Sequence, residues 1–283
     1  VLHDEVELPH SKKKVDTWVM FTNLYGEYWK KAAKYVSDAV YYYSLWNGDY
    51  PYPQATAVDG ALSAGSGMEY PMITVIGGVG SDETLDRVIA HEVGHNWFYG
   101  ILGSNERDHA WMDEGINSFN ENRYMETKYP KDSVKIHATT KIAGMNMNIE
   151  KLLGIPRLDE STLFDLGYRF SAVRKEDQPV DMTSSEYTAI NYGTIVYGKM
   201  AFILAYLHAY LGEELYDKCA QHYFETWKFK HPYPPDIKRA YEEISGKDLG
   251  WFFKDIIPTT RQIDYKVISA SNRGPAEGGL FSY

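Results

Sequence analysis

The pentapeptide His91-Glu92-Val93-Gly94-His95 sets two imidazoles four residues apart, with a carboxylate beside the first. On a helix, residues four apart lie one turn apart on the same face. Both rings therefore reach one Zn2+ at about 2.0–2.1 Å. Glu92 stands about 100° further round the axis. It is turned away from the metal but can reach a water beside it, which is the position of a general base. A catalytic zinc needs a third protein ligand and one open position. Glu114 is the candidate. It follows His95 after 18 intervening residues, inside Trp111-Met112-Asp113-Glu114-Gly115, and falls on the next predicted helix. Two helices joined by a short loop pack side by side, which brings Glu114 to the metal. Asp113 and Glu121 are rivals by residue type. Asn117, almost one turn beyond Glu114, is placed either to orient a ligand or to serve as an ordinary surface amide.

The elements that must hold these residues follow from periodicity and punctuation. Ser81-Asp82-Glu83-Thr84 suits a helix N-terminus, because hydroxyls and acids satisfy the first-turn amides. The motif helix is predicted to run to about Tyr99, closed by Gly100 or Gly103, with Leu85, Ile89 and Val93 facing a core. Upstream, Tyr25 to Trp46 has helical spacing. Trp29, Ala32, Ala33, Val36, Ala39, Val40 and Tyr43 form its apolar stripe, and Asn47-Gly48 stop it. Met72 to Ile76 reads as a strand. Downstream, a helix is predicted from about Trp111 to Lys128, then helical residues 133–153 and an irregular stretch 154–192. Further helices lie near 193–211, 213–228 and 235–257. The fold class is α+β and mostly helical, with a small strand-bearing N-terminal part. Residues 1–16 read as a linker or the end of a preceding domain, 17–257 as the catalytic domain, and 258–283 as an extended linker.

Composition narrows the partners. The 283 residues are 44% hydrophobic and 15% aromatic, enough for a core without covalent staples. The net charge is −10, with no basic run beyond Lys12 to Lys14. That argues against nucleic acid, since phosphate binding needs clustered Lys and Arg. The single cysteine, Cys219, permits no intrachain disulfide. The apolar run Ile195 to Leu211 carries Lys199 and His208 and is short for a membrane span, so a buried core helix is expected.

HExxH, 18 intervening residues, and Glu within W-x-[ND]-E-G resemble the gluzincin zinc aminopeptidases, the group that includes alanyl aminopeptidase and leukotriene A hydrolase. Two further segments share the resemblance. Ser66-Gly67-Met68-Glu69-Tyr70 is similar to the family's Gly-x-Met-Glu-Asn, with Ser66 for the first Gly and Tyr70 for the Asn. The resemblance implies that Glu69 binds the substrate's free α-amine, while the backbone at Gly67 and Met68 helps hold the peptide. Tyr197-Gly198-Lys199-Met200 is similar to the family's Tyr-x-Lys-Gly, with Met200 for the last Gly. It implies that Tyr197 donates to the oxyanion of the tetrahedral intermediate, with Tyr192 the alternative. The resemblance spans roughly residues 20–257 and implies a thermolysin-like zincin fold, one Zn2+, a peptide substrate with a free N-terminus, and flanking domains in a longer protein. An endopeptidase, an epoxide hydrolase and a non-catalytic peptide-binding domain are the other readings. Fold and metal do not fix the substrate, but a binding module has no need of Glu92.

Overall fold

A computed structural model of the chain describes residues 1–23, 26–60, 62, 67–129, 139–142, 145–148 and 160–261. The N-terminal part is a five-stranded sheet with strand order β1-β2-β3-β5-β4. Strands β1 (Leu2–Glu7) and β2 (Lys14–Met20) form an antiparallel pair. Strand β3 (Gln54–Asp59) runs parallel to β2, and β5 (Ile73–Ile76) parallel to β3. The two-residue strand β4 (Gly67–Met68) closes the edge antiparallel to β5. The sheet thus reaches back to Leu2. Residues 1–16, expected as a linker or the end of a preceding domain, supply β1 and the start of β2. Val6, Val15 and Val19 are buried there, and a strand with one apolar face is held by that burial.

The helical stripe upstream of the motif is resolved into a short helix α1 (Gly26–Trp29) and a long helix α2 (Ala32–Asn47). All seven stripe residues are buried. Helix α2 packs against β1, β2 and the motif helix α3 (Asp82–Gly94). Ser81 caps α3, its Oγ accepting from the Thr84 amide at 3.1 Å. The helix ends at Gly94, five residues before the expected Tyr99. His95 keeps helical dihedrals as the cap, and its amide still bonds the His91 carbonyl at 3.3 Å. The chain then turns through Tyr99, whose φ is +106°.

Helix α4 (Glu114–Lys128) follows as expected. Residues 133–153, expected to be helical, contain an antiparallel pair instead: β6 (Thr139–Ile142) against β7 (Met145–Asn148). Thr139, Thr140 and Ile142 are β-branched residues, which favour strand. The rest of that stretch lies outside the described residues. The expected irregular stretch 154–192 contains helix α5 (Glu160–Arg174). Gly167 reads as a breaker but serves close packing: a Cβ there would stand 2.7 Å from Thr194 Cγ2. The next helix, α6 (Ala189–Leu211), includes a π-helical stretch at Tyr192–Lys199. It is long and apolar enough to cross a membrane; Ile195, Met200, Leu204 and Leu207 are buried in the protein core, while Ile190, Phe202, Tyr206 and Tyr210 on the same helix are exposed. Helix α7 (Glu213–Trp227) pairs with α8 (Pro234–Ser245). Gly246, at φ +64°, ends α8, so the predicted helix 235–257 is broken there, and Trp251–Ile256 form a separate π-helical turn. The expected linker 258–283 lies, beyond Arg261, outside the described residues.

Candidate metal centre

Helices α3 and α4 bring three donor atoms to one point. His91 Nε2 lies 3.2 Å from His95 Nε2 and 3.2 Å from Glu114 Oε2, and His95 Nε2 lies 3.3 Å from the same oxygen. Ligands at about 2.0–2.1 Å from a tetrahedral zinc stand about 3.3–3.4 Å apart. The triangle therefore fits that metal in both donor type and size.

Each imidazole is fixed through its other nitrogen. His91 Nδ1 donates to Glu121 Oε2 at 2.9 Å, and Glu121 is in turn held by the Arg87 guanidinium. His95 Nδ1 donates to Asp113 Oδ1 at 2.7 Å. A carboxylate only accepts, so both rings carry their proton on Nδ1 and offer Nε2 to the metal. Such partners orient metal-binding histidines and raise their basicity. Asp113 and Glu121, rivals for the third ligand by type, thus each bond one of the two histidines. Glu121 could have been found from sequence: it lies seven residues after Glu114, two turns along the same face of α4. Asn117 is buried and so is not a surface amide. Its Nδ2 donates to the His91 carbonyl at 2.7 Å, and its Oδ1 accepts from the buried Tyr43 hydroxyl at 3.0 Å.

The electrostatics are those of a cation site. Burial pulls both imidazoles down. Glu114 and Glu121 on His91, and Asp113 and Glu114 on His95, outweigh it and hold both above the ordinary histidine value. Burial raises Glu114, but its bonds to His91 and His95 win and hold it far below the usual carboxylate range. Asp113, itself buried, is pushed up to about 6 by burial, against the pull of His95.

Glu92 sits behind the triangle, 5% exposed, with Oε2 sealed from solvent and without a hydrogen-bond partner. Burial pushes it up to about 7, and a cation on the three ligands would lower it again. A Cβ on Gly67 would stand 2.2 Å from Glu92 Oε1, so only glycine lets the β4 edge approach the base so closely. Oxygens of Glu69 and Glu92 and a nitrogen of His95 lie within 4.8 Å of one another, which places Glu69 next to the centre. Met68 is exposed on β4, and its carbonyl accepts from Thr74 Oγ1 at 3.1 Å.

Tyr197 enters from α6. Its hydroxyl donates to Glu114 Oε1 at 2.6 Å, and its ring stacks on His91 at a centroid distance of 6.1 Å. Burial, then the charge of Glu114, holds the phenol far above its ordinary value, so it remains a donor. Gly115 makes this approach possible: a Cβ there would meet Met200 Cγ at 2.5 Å and the Val196 carbonyl at 2.8 Å. The ring of Tyr192 packs edge-on to Tyr197, 5.9 Å away, without contacting a ligand residue through a hydrogen bond. All the predicted site residues are therefore brought to one region, with Met68 on its outer rim.

Residues 40–256 match the Peptidase family M1 domain. Among curated proteins, the chain is similar to a glutamyl aminopeptidase of Bitis rhinoceros, with 28% identity over 182 residues, covering 64% of this chain and 16% of that protein. It is also similar to leucine aminopeptidase 2 of Sclerotinia sclerotiorum, with 26% identity over 221 residues, covering 71% of this chain and 33% of that protein. Among solved structures, the M1 zinc metallopeptidase of Deinococcus radiodurans superposes with a TM-score of 0.60 at 13% identity, covering 95% of this chain and 53% of that one. That likeness is one of fold. The chain spans a third or less of these curated relatives and about half of the solved structure. With more than half of its length matched by the family domain, the chain belongs to peptidase family M1.

Proposed function

We propose that this chain is the thermolysin-like catalytic domain of a zinc aminopeptidase that removes N-terminal residues from peptides. The observation that carries the reading is the 3.2–3.3 Å triangle of His91, His95 and Glu114, with the unpartnered Glu92 oxygen behind it. When bound by these three residues, zinc supplies a Lewis acid that polarises the scissile carbonyl and acidifies water. Glu92 accepts the proton of the attacking water and returns it to the leaving amine. The Tyr197 hydroxyl turns from Glu114 to the carbonyl oxygen as negative charge develops there, which is worth most when realised only in the transition state. Glu69 pairs with the substrate ammonium. The outer edge of β4, at the end of the sheet, gives an extended peptide a strand to join through Gly67 and Met68.

Glu69 is what supports an exopeptidase over an endopeptidase, because a carboxylate next to the metal measures one residue from the amine to the scissile bond. The test is metal analysis combined with turnover of amino-acid arylamides. The protein should carry one zinc per chain and lose turnover on chelation. Glu92→Gln should retain the zinc and lose turnover by about a thousandfold or more. Near-wild-type activity in that variant would remove Glu92 as the base.

A further inference from the structure

Asn96 follows His95 directly and is 5% exposed. Its backbone is tied on both sides. Its amide bonds the Val93 carbonyl at 3.0 Å, and its carbonyl accepts from the Ile101 amide at 2.9 Å. The side chain links the end of the motif helix to the sheet. Nδ2 donates to the Val93 carbonyl at 2.8 Å. Oδ1 accepts from the Met72 amide at 2.8 Å and from the buried Tyr50 hydroxyl at 3.3 Å.

Met72 is where the chain turns between the two edge strands. The Ile73 amide bonds the Tyr70 carbonyl at 3.1 Å, closing a turn over Pro71 and Met72. Before the turn stand β4 and Glu69. After it runs β5, which pairs Ile76 with Gly67 and Val75 with Met68. Met72 has a φ of +64°, in the left-handed region. There the Cβ of an L-residue crowds the following carbonyl, and only glycine, or asparagine and aspartate with their short polar side chains, adopt it routinely. Such a conformation persists only where its surroundings over-determine it. Asn96 Oδ1 holds the Met72 amide, and the Thr56 amide holds the Met72 carbonyl at 2.9 Å. His95 and Asn96, adjacent in sequence, thus face two tasks: one offers Nε2 to the metal point, and the other pins the turn beside Glu69. The edge has no slack against the helix, because a Cβ on Gly67 would stand 2.2 Å from Glu92 Oε1.

We infer that Asn96 is a positioning residue for the proposed reaction: by holding Met72 in its left-handed turn, it sets the register of the peptide-holding segment Gly67 to Glu69 against the metal. This rests on the aminopeptidase reading above. Glu69 and the strand edge move together with the turn, so a peptide is still recognised without Asn96 but its scissile bond is misplaced. A shift of about 1 Å is enough to lower the rate about a hundredfold.

The test compares the zinc-loaded full chain with Asn96→Ala, using two hydroxamates. Leucine hydroxamate grips the metal and presents its amine to Glu69, so it reads the distance between them. Acetohydroxamate grips the metal alone. In Asn96→Ala, leucine hydroxamate should bind about tenfold more weakly, with acetohydroxamate and zinc affinities within about twofold of wild type. The kcat for leucine arylamide should fall at least about tenfold. Adding Met72→Gly should bring both back to within about threefold of wild type, because glycine takes a positive φ without strain and needs no bond to hold it. Asn96→Leu, of nearly the same shape, serves if the alanine variant does not fold. Unchanged leucine hydroxamate affinity overturns the inference. So do equal losses on both hydroxamates or a matching loss of zinc, which would make Asn96 a support of the metal, and so does a failure of Met72→Gly to restore binding. A wild type that binds leucine hydroxamate through Asn96 but turns over no arylamide sustains the register and refutes the peptidase reading. A wild type that binds leucine hydroxamate no more tightly than acetohydroxamate refutes the register.

Discussion

Replacing Glu121 by Gln tests whether the metal centre depends on a residue that never touches the metal. Glu121 Oε2 accepts from His91 Nδ1 at 2.9 Å, and its other oxygen pairs with Arg87. Burial would raise this carboxyl, but His91 and Arg87 hold it below its usual value, so it is ionised. Gln keeps the shape and a carbonyl acceptor for Nδ1–H but removes the charge. A hydrogen bond to a charged group contributes about 1.5–3 kcal/mol and a neutral one about 0.5–1.5. The difference, about 1–1.5 kcal/mol, is about a tenfold loss in zinc affinity, the lower end of what outer partners of metal-binding histidines usually give. Glu121→Ala leaves Nδ1–H without this acceptor in a buried site and should approach a hundredfold. Competition with a chromophoric chelator measures both. Melting of the metal-free proteins separates folding from binding, because Arg87 retains Asn122 Oδ1 at 3.4 Å in either variant. A Glu121→Gln affinity within about twofold of wild type would refute the argument that this carboxylate fixes the His91 tautomer and strengthens its Nε2.

Two further substitutions separate binding from chemistry. Tyr197→Phe should lower kcat by about a hundredfold or more while KM changes little, since its hydroxyl acts on developing charge; steady-state kinetics on an arylamide decide, and the same loss in Tyr192→Phe instead would transfer the role. Glu69→Ala should reduce kcat/KM for free-amine substrates by at least about tenfold relative to N-blocked peptides; equal losses on both would remove the aminopeptidase reading and leave a zinc peptidase.

The grouping of His91, His95 and Glu114 was legible because it rests on local geometry. The spacing of His91 and His95 is enforced by the helix even though α3 ends at Gly94, since His95 keeps helical dihedrals at the cap. Glu114 was legible from its distance along the chain and its flanking Trp and Gly. The role of that Gly becomes clear only in three dimensions, where it admits Met200 and the Val196 carbonyl. Supports were harder to read. Asp113 and Glu121 have the right chemistry for a ligand, and only the packing of α3 on α4 decides that each serves a histidine instead. The fold was read least well where glycine and short strands mislead. Gly167 sits inside α5 for close packing against α6, and the β6–β7 pair replaces an expected helix because strand pairing is a non-local choice. Residues 1–16 lack apolar density, but Val6 and Val15 suffice once a neighbouring strand is present.

The π-helical stretch at Tyr192–Lys199 makes the placement of Tyr197 a matter of chain length as well as residue type. A π turn closes i→i+5 bonds where an α-helix closes i→i+4, and so accommodates one extra residue. Deleting a single residue there would let the ladder relax to α and rotate the preceding turn by about 100° against the buried face of α6. The hydroxyl would leave Glu114 although every side chain in the site kept its identity. A one-residue gap in this helix therefore counts as an active-site change when relatives are aligned, and an alignment that slides past it would credit the wrong tyrosine.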